Sequence, residues 1–179
     1  STIRQKYWNA SRDLFADTPE KDVYSQHANI LAVLTGTVTA QEASVLANKL
    51  LNETGLAPAS IYFKYYLHLA ILRAGMGNDY LKLLDKWFEN IAMGMTTWAE
   101  DSNINTARSD CHAWGSSPNI EFYRMVLGID TDAPGFSRVK IEPHLGTLQK
   151  AGGELPHSAG KIAVKYELVK GKWNVEVNL

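Results

Sequence analysis

Two short stretches hold the residues best equipped for chemistry, Gly94-Met95-Thr96-Thr97-Trp98-Ala99-Glu100-Asp101 and Ser109-Asp110-Cys111-His112-Ala113-Trp114-Gly115. They gather carboxylates, an imidazole and two indoles in a segment that shows neither the 3.6-residue period of a helix nor the alternation of a strand. Such a set suits a carbohydrate. Indole faces cover the apolar C–H faces of a sugar ring, while carboxylates and imidazole hydrogen-bond its hydroxyls. The segment from Met95 to Gly115 runs for about 20 residues, and irregular loops of that length inside compact domains are uncommon unless they serve a function. The plainer alternative is a Trp-rich corner that only packs. Cys111 between Asp110 and His112 does not read as a nucleophile with its base, because adjacent residues rarely face one another.

The elements that must position this loop are mostly helical. From Ile3 the apolar positions Tyr7, Ala10 and Leu14 predict a first helix that Thr18-Pro19 stops. Asp22 is expected to start a second, with Val23, Ala28, Ile30, Leu31 and Leu34 buried and Gly36 at its end; His27, near that face, reads as a satisfied core residue rather than a ligand. Thr39-Ala40-Gln41-Glu42 spells a capping box for a third helix whose stripe is Leu46, Leu50 and Leu51. A fourth runs after Pro58 through Tyr62, Tyr65, Tyr66, Leu69 and Leu72 to Gly75, its Tyr pairs read as core. Asn78 or Asp79 is expected to cap a fifth, burying Leu81, Leu84, Trp87, Phe88 and Ile91 before Gly94. Beyond the irregular loop, Ser117-Pro118 supplies the cap and first-turn proline of a sixth helix through Phe122, Met125 and Val126 to Gly128. The six are expected to be about 12 to 16 residues long and joined as αα-hairpins.

Past Asp130 the period changes to two. Val139 and Ile141 alternate with Arg138, Lys140 and Glu142, and Ile162, Val164, Tyr166 and Leu168 turn at Lys170-Gly171 into Trp173, Val175, Val177 and Leu179, an antiparallel hairpin. The fold class is therefore mainly α with a C-terminal β part. The helices share no fixed sequence period, which argues against a helical-repeat solenoid. Several, such as the fourth, are apolar on more than one side and expect neighbours on both faces, more than six helices supply.

Composition excludes several classes of function. The 179 residues are 45% hydrophobic and 21% charged, an ordinary globular mixture. With 18 Lys and Arg against 19 Asp and Glu, the formal charge of −1 leaves no electrostatic footprint for nucleic acid or an anionic membrane, and a neutral ligand fits better. The single cysteine makes no intrachain disulfide and lacks neighbours at metal-ligand spacing. Asp101, Asp110, Asp130 and Asp132 form no recognisable calcium loop, so no metal or cofactor is implied. No apolar run approaches the roughly 18 to 20 residues of a membrane span, and Ser1-Thr2-Ile3-Arg4 is not a signal peptide. Cellular location, whether periplasmic, secreted or cytoplasmic, stays open. Both ends read as cut, since Ser1 opens directly into a helical pattern and Leu179 closes within a strand pattern.

In its ordered motifs the chain resembles the bacterial α-L-rhamnosidases. The resemblance rests on Tyr24-Ser25-Gln26-His27-Ala28, Thr96-Thr97-Trp98-Ala99-Glu100, Ser109-Asp110-Cys111-His112-Ala113-Trp114, Leu127-Gly128-Ile129, Pro134-Gly135-Phe136 and Ile141-Glu142-Pro143, with Pro156-His157 and Gly160-Lys161-Ile162 at the end. It implies an (α/α)6 barrel followed by a β-sandwich, with residues 1–132 as the second half of the barrel and 133–179 as the beginning of the sandwich. It also implies hydrolysis of terminal α-L-rhamnose with inversion, which needs two carboxyls roughly 6.5 to 9.5 Å apart so that water fits between base and sugar. Glu100 matches the family's general base, His112 a histidine that contacts the sugar, and Trp98 and Trp114 supply stacking walls. Asp101 is the rival carboxylate, and Asp110 orients His112 or caps a turn. The general acid lies upstream, so this chain by itself is expected to be inactive. The sequence departs from the commoner family form, in which Trp directly precedes the base and the loop before the His is longer. Here Ala99 intervenes, and twelve positions separate Glu100 from His112.

The implied partners are a rhamnose-containing glycan or glycoside and the N-terminal half of the barrel, with self-association through apolar surface that this half would cover. Two alternatives stay open: a non-catalytic helical module that binds glycan or a partner, and a six-hairpin glycosidase of other sugar specificity, since fold alone does not choose among sugars. An enzyme half brings Glu100, His112 and a Trp into one concave space, whereas a scaffold scatters them.

Overall fold

Helical periodicity gives way to alternation along the chain, and the computed structural model, which describes residues 2–101 and 103–179, follows that change. Ser1, where the first helix is expected to open, lies outside the described residues. The contacts divide the chain into two units, one made of Ser1–Met76 and Lys82–Ser116, the other of Gly77–Leu81 and Ser117–Leu179.

The first unit carries α1 (Thr2–Tyr7), β1 (Trp8–Asn9), β2 (Leu14–Phe15), α2 (Gln26–Leu34), α3 (Ala40–Asn52), α4 (Lys64–Arg73) and α5 (Asp85–Ala92). Helix α1 stops at Tyr7 and does not run on to Thr18, because the next residues form a small antiparallel hairpin with Trp8 opposite Phe15 and Asn9 opposite Leu14. The Asn9 side chain makes that turn by accepting from the Ser11 amide at 3.0 Å and the Ser11 hydroxyl at 2.7 Å, the local bonding by which Asn competes with a helix. Asp13 then adopts a φ of 49°, a left-handed conformation through which no helix continues.

Helix α2 begins after Ser25 and not at Asp22, since the Ser25 hydroxyl accepts from the Ala28 amide at 3.3 Å. Val23 and Leu31 are exposed, and buried Asn29 takes the place of an apolar residue on the inner face. Its amide group bonds Phe15 in both directions, at 2.8 and 2.9 Å, and donates to the Ser25 carbonyl at 2.9 Å, so the buried polar group is satisfied. His27 is half-buried with its ring 4.3 Å from that of Phe63.

The capping box of α3 is formed: Thr39 Oγ1 accepts from the Glu42 amide at 3.3 Å and Glu42 Oε2 accepts from the Thr39 amide at 2.9 Å. Arg4 closes on the same carboxylate with two bonds of 3.1 and 2.5 Å, joining α1 to α3. Leu14, Ile30, Leu46, Leu50, Leu67 and Ile71 fill the core of this unit. That leaves Tyr62, just before α4, and Tyr65 and Tyr66 on α4 half-buried at the margin instead of in the core.

The expected fifth helix is broken. Gly77–Leu83 is 3-10 and α5 starts at Asp85 without a side-chain cap, while the Asn78 side chain instead accepts from the Gly146 amide at 3.0 Å. Trp87 is buried on α5, but Phe88 and Ile91, expected inside, are 61% and 55% exposed. Helix α3, with 13 residues, has the expected length, whereas the other α-helices are shorter, down to 4 residues in α6.

The second unit holds α6 (Pro118–Glu121), a π-helical turn over Phe122–Val126, and the strands β3 (Ile129–Thr131), β4 (Val139–Ile141), β5 (Lys150–His157), β6 (Gly160–Val169) and β7 (Lys172–Asn178). Ser117 does not cap α6 with its side chain; its hydroxyl lies 3.4 Å from Glu121, a fully buried carboxylate that also accepts from Tyr80 at 3.1 Å. Burial pushes the Tyr80 phenol upward, so it stays protonated as the donor. Strands β3 and β4 pair antiparallel, and β5, β6 and β7 form an antiparallel meander in that order. The β6–β7 hairpin appears as expected, turning at Lys170 and Gly171 with φ of 50° and 77°.

Gly128 is required by two constraints at once. Its φ is +73°, and a Cβ there would stand 2.1 to 2.3 Å from the backbone of Glu142 and Pro143. Its carbonyl accepts from the Glu142 amide at 2.9 Å, so the two motifs Leu127-Gly128-Ile129 and Ile141-Glu142-Pro143 meet backbone to backbone. Tyr166 on β6 is buried and donates to the Leu127 carbonyl at 2.8 Å. Trp173, Val175 and Val177 on β7 are exposed. No helix among the described residues is long and apolar enough to cross a membrane.

Candidate active site

The irregular segment after α5 is held in shape by its own two arms. The Glu100 amide donates to the Ser109 carbonyl at 2.8 Å, and the His112 amide donates to the Trp98 carbonyl at 2.7 Å. The Thr97 hydroxyl donates to the Asp110 carbonyl. Residues 98–100 thus face residues 109–112 with one extra residue on the second arm, the arrangement of a bulge that re-aims a side chain. This pairing explains how twelve positions suffice to bring Glu100 and His112 to one place.

The extended run also resolves the role of Ala99. Ala99 is fully buried, whereas its neighbours Trp98 and Glu100 are half-buried. Gly115 is buried beside them, and a Cβ on it would lie 2.6 Å from Trp98 Cβ. The Gly115 carbonyl accepts from the Trp87 indole at 2.6 Å, which fastens the end of the loop to α5. Small residues at 99 and 115 therefore let the two arms and α5 close together.

Glu100 faces a cation. Arg108 Nε donates to Glu100 Oε2 at 3.1 Å and Arg108 Nη2 contacts Oε1, a two-point contact on both carboxylate oxygens. The Arg108 guanidinium holds the Glu100 carboxyl below the usual carboxylate range, against the opposing effect of partial desolvation, and the charge of His112 adds to the lowering. The carboxylate is therefore ionised at neutral pH. Asp101 and Asp110 are exposed.

Around them lie rings. The Tyr62 ring stands 5.3 Å from His112 and 5.5 Å from Trp114, and Tyr66 stands 6.0 Å from Trp114. A cavity of about 200 Å³ is lined by Thr96, Thr97, Trp98, Cys111, His112, Ala113 and Ser116. That volume is below the roughly 300 Å³ at which small-molecule pockets usually begin. Trp98 and His112 share its wall, Glu100 touches His112 electrostatically, and Trp114 is exposed beside the tyrosines. Cys111 is a free, exposed thiol. Among the described residues no group of three or more His, Cys, Asp or Glu is arranged to hold a metal ion.

Sequence reasoning missed Arg108 and Tyr62. Arg108 is an isolated basic residue in an irregular stretch, and nothing in its spacing announces a carboxylate partner eight positions earlier. Tyr62 reads as core because its spacing is helical, yet it begins a helix margin that reaches the loop.

Comparison with known proteins adds two likenesses. Residues 128–179 match the family model for the bacterial alpha-L-rhamnosidase C-terminal domain. The chain is also similar to the crystal structure of a GH78 family rhamnosidase of Bacillus sp. GL1, with 25% sequence identity and a TM-score of 0.87 over 98% of this chain and 20% of that one. This chain thus spans about a fifth of the length of that relative. No curated protein matches it. The family likeness thus lies in residues 128–179, and the structural likeness runs along nearly the whole chain.

Proposed function

We propose that the chain supplies the base half of the active site of an inverting α-L-rhamnosidase. Residues 1–132, which hold helices α1 to α6, form the second half of an (α/α)6 barrel, and residues 133–179 begin the β-sandwich that follows it. Glu100 is the general base. It takes a proton from a water that attacks the anomeric carbon on the face opposite the leaving oxygen, while a carboxylic acid outside this chain protonates that oxygen. His112 hydrogen-bonds sugar hydroxyls, and Trp98 and Trp114 offer indole faces to the ring. Asp101 is the alternative base.

The observation that carries this reading is the pairing of Glu100 and Trp98 with Ser109 and His112, which gathers an ionised carboxylate, an imidazole and an indole on one loop. The small cavity fits half a sugar pocket better than a whole one. Without the acid, leaving-group protonation is missing, a contribution of roughly 10²- to 10⁴-fold, so the chain alone turns over no substrate.

The test is hydrolysis of an aryl α-L-rhamnoside by the full-length protein, with the first-formed anomer of rhamnose followed by proton NMR. The β-anomer is expected. First-formed α-anomer would contradict inversion, and absence of turnover would contradict the rhamnosidase reading.

A further inference from the structure

We propose that Arg108 is the positioning residue of the Glu100 base, a guanidinium clamp that fixes the direction in which the carboxylate presents its remaining lone pairs; this rests on the rhamnosidase reading above. A carboxylate offers about four lone-pair sites, and a two-point arginine contact occupies two of them. The others keep one fixed direction as long as the planar fork is in place. Arg108 Nε to Glu100 Oε2 at 3.1 Å, with Nη2 on Oε1, gives that fork.

The backbone makes the clamp local. Arg108 directly precedes Ser109, whose carbonyl holds the Glu100 amide at 2.8 Å, so one short segment grips both the main chain and the side chain of the same residue. Stability does not explain the contact. The Arg108 side chain is 85% exposed against 17% for Glu100, and exposed ion pairs contribute little to folding. The pair is also neutral as a whole, which lets an uncharged sugar approach a charged base without meeting net charge. The groups acting on this pair are His112, which favours ionised Glu100, and the Tyr62 phenol, which acts on Arg108; Asp101 and Asp110 are the other acids of the two arms.

The experiment compares the full-length protein with Arg108→Gln and Arg108→Lys, using an aryl α-L-rhamnoside across pH. The Gln variant should lose on the order of tenfold in kcat with KM unchanged, the pattern of lost orientation without lost binding. Its acid limb should move to higher pH, because removing the guanidinium lets the carboxyl protonate more readily. The Lys variant should restore the limb through its charge but only part of kcat, because an ammonium cannot make the two-point contact. A purely structural residue would lower the melting temperature and leave the limb where it was. A Gln variant with unchanged limb and kcat, or a Lys variant that recovers both in full, would overturn the clamp.

A second readout does not need turnover. Carbodiimide-driven amine labelling consumes protonated carboxyls, and mass-spectrometric mapping at Glu100 should show labelling that persists to higher pH in Arg108→Gln than in wild type. If wild type hydrolyses no rhamnoside yet this labelling shift appears, the clamp stands and the rhamnosidase reading fails. An unchanged labelling profile in an active enzyme sinks the clamp alone.

Discussion

Glu100 owes its position to groups on the opposite arm of its own loop: the Ser109 carbonyl fixes its amide and Arg108 its carboxylate. Gly115 has an equally specific part, since a methyl group there would meet Trp98 Cβ at 2.6 Å in a buried site. Gly115→Ala should therefore cost about 1 to 3 kcal/mol, the range for overpacking a closed site, measured by denaturant melts. Parent-like stability would show that the loop relaxes around the methyl. At this scale the candidate residues stand out in the sequence, because Trp98, Glu100, His112 and Trp114 differ in chemistry from the helices around them. Arg108 and Tyr62 were not legible, because their roles depend on a turn-back of the chain that no period encodes.

At the scale of elements, capping residues were read correctly where the box was complete. Thr39 and Glu42 bond each other's amides as their spacing requires, and Thr39→Ala should cost about 1 kcal/mol of stability in thermal melts. The Arg4 guanidinium, aided by the Thr39 amide, holds the Glu42 carboxyl at about 2. A carboxyl lowered in the folded state stabilises above its unfolded value and loses that contribution as pH falls through its folded one. Glu42→Gln should thus be less stable than wild type at neutral pH, with the two melting curves converging as pH is lowered from about 4.5 towards 2. A constant gap across that range would show that the Arg4 contact does not act through charge. Where the sequence misled, the cause was a competing local signal. Asn9 and Asp13 turn the chain out of α1, and Leu84 breaks the fifth helix between its 3-10 and α parts. Strand β5 is not anticipated by the sequence reading; it contains Gly152, Gly153 and Pro156, residues that strands disfavour, and a Cβ at Gly153 would come within 2.8 Å of Leu127 Cδ1.

At the scale of the whole molecule, the chain spans about a fifth of the Bacillus relative, and its surface carries exposed apolar groups. Phe88, Ile91 and Met93 are all more than half exposed at the end of α5. Contiguous apolar surface of this kind favours association, so light scattering of the isolated chain should report species larger than a monomer, and Phe88→Ser with Ile91→Ser should reduce them. A monodisperse monomer in both cases would show that this surface tolerates water. The helix-to-strand change was legible at this scale from periodicity alone. The exposure of Phe88 and Ile91 was not, because an apolar stripe states that a helix packs on something without naming what.

The most direct test of the account is turnover of an aryl α-L-rhamnoside by the full-length protein, comparing wild type, Glu100→Gln and Asp101→Asn, with folding checked by circular dichroism. Loss of several orders of magnitude in folded Glu100→Gln, with Asp101→Asn close to wild type, is the predicted result. A near-normal rate in Glu100→Gln, or a loss confined to Asp101→Asn, would contradict the assignment of Glu100 as the base.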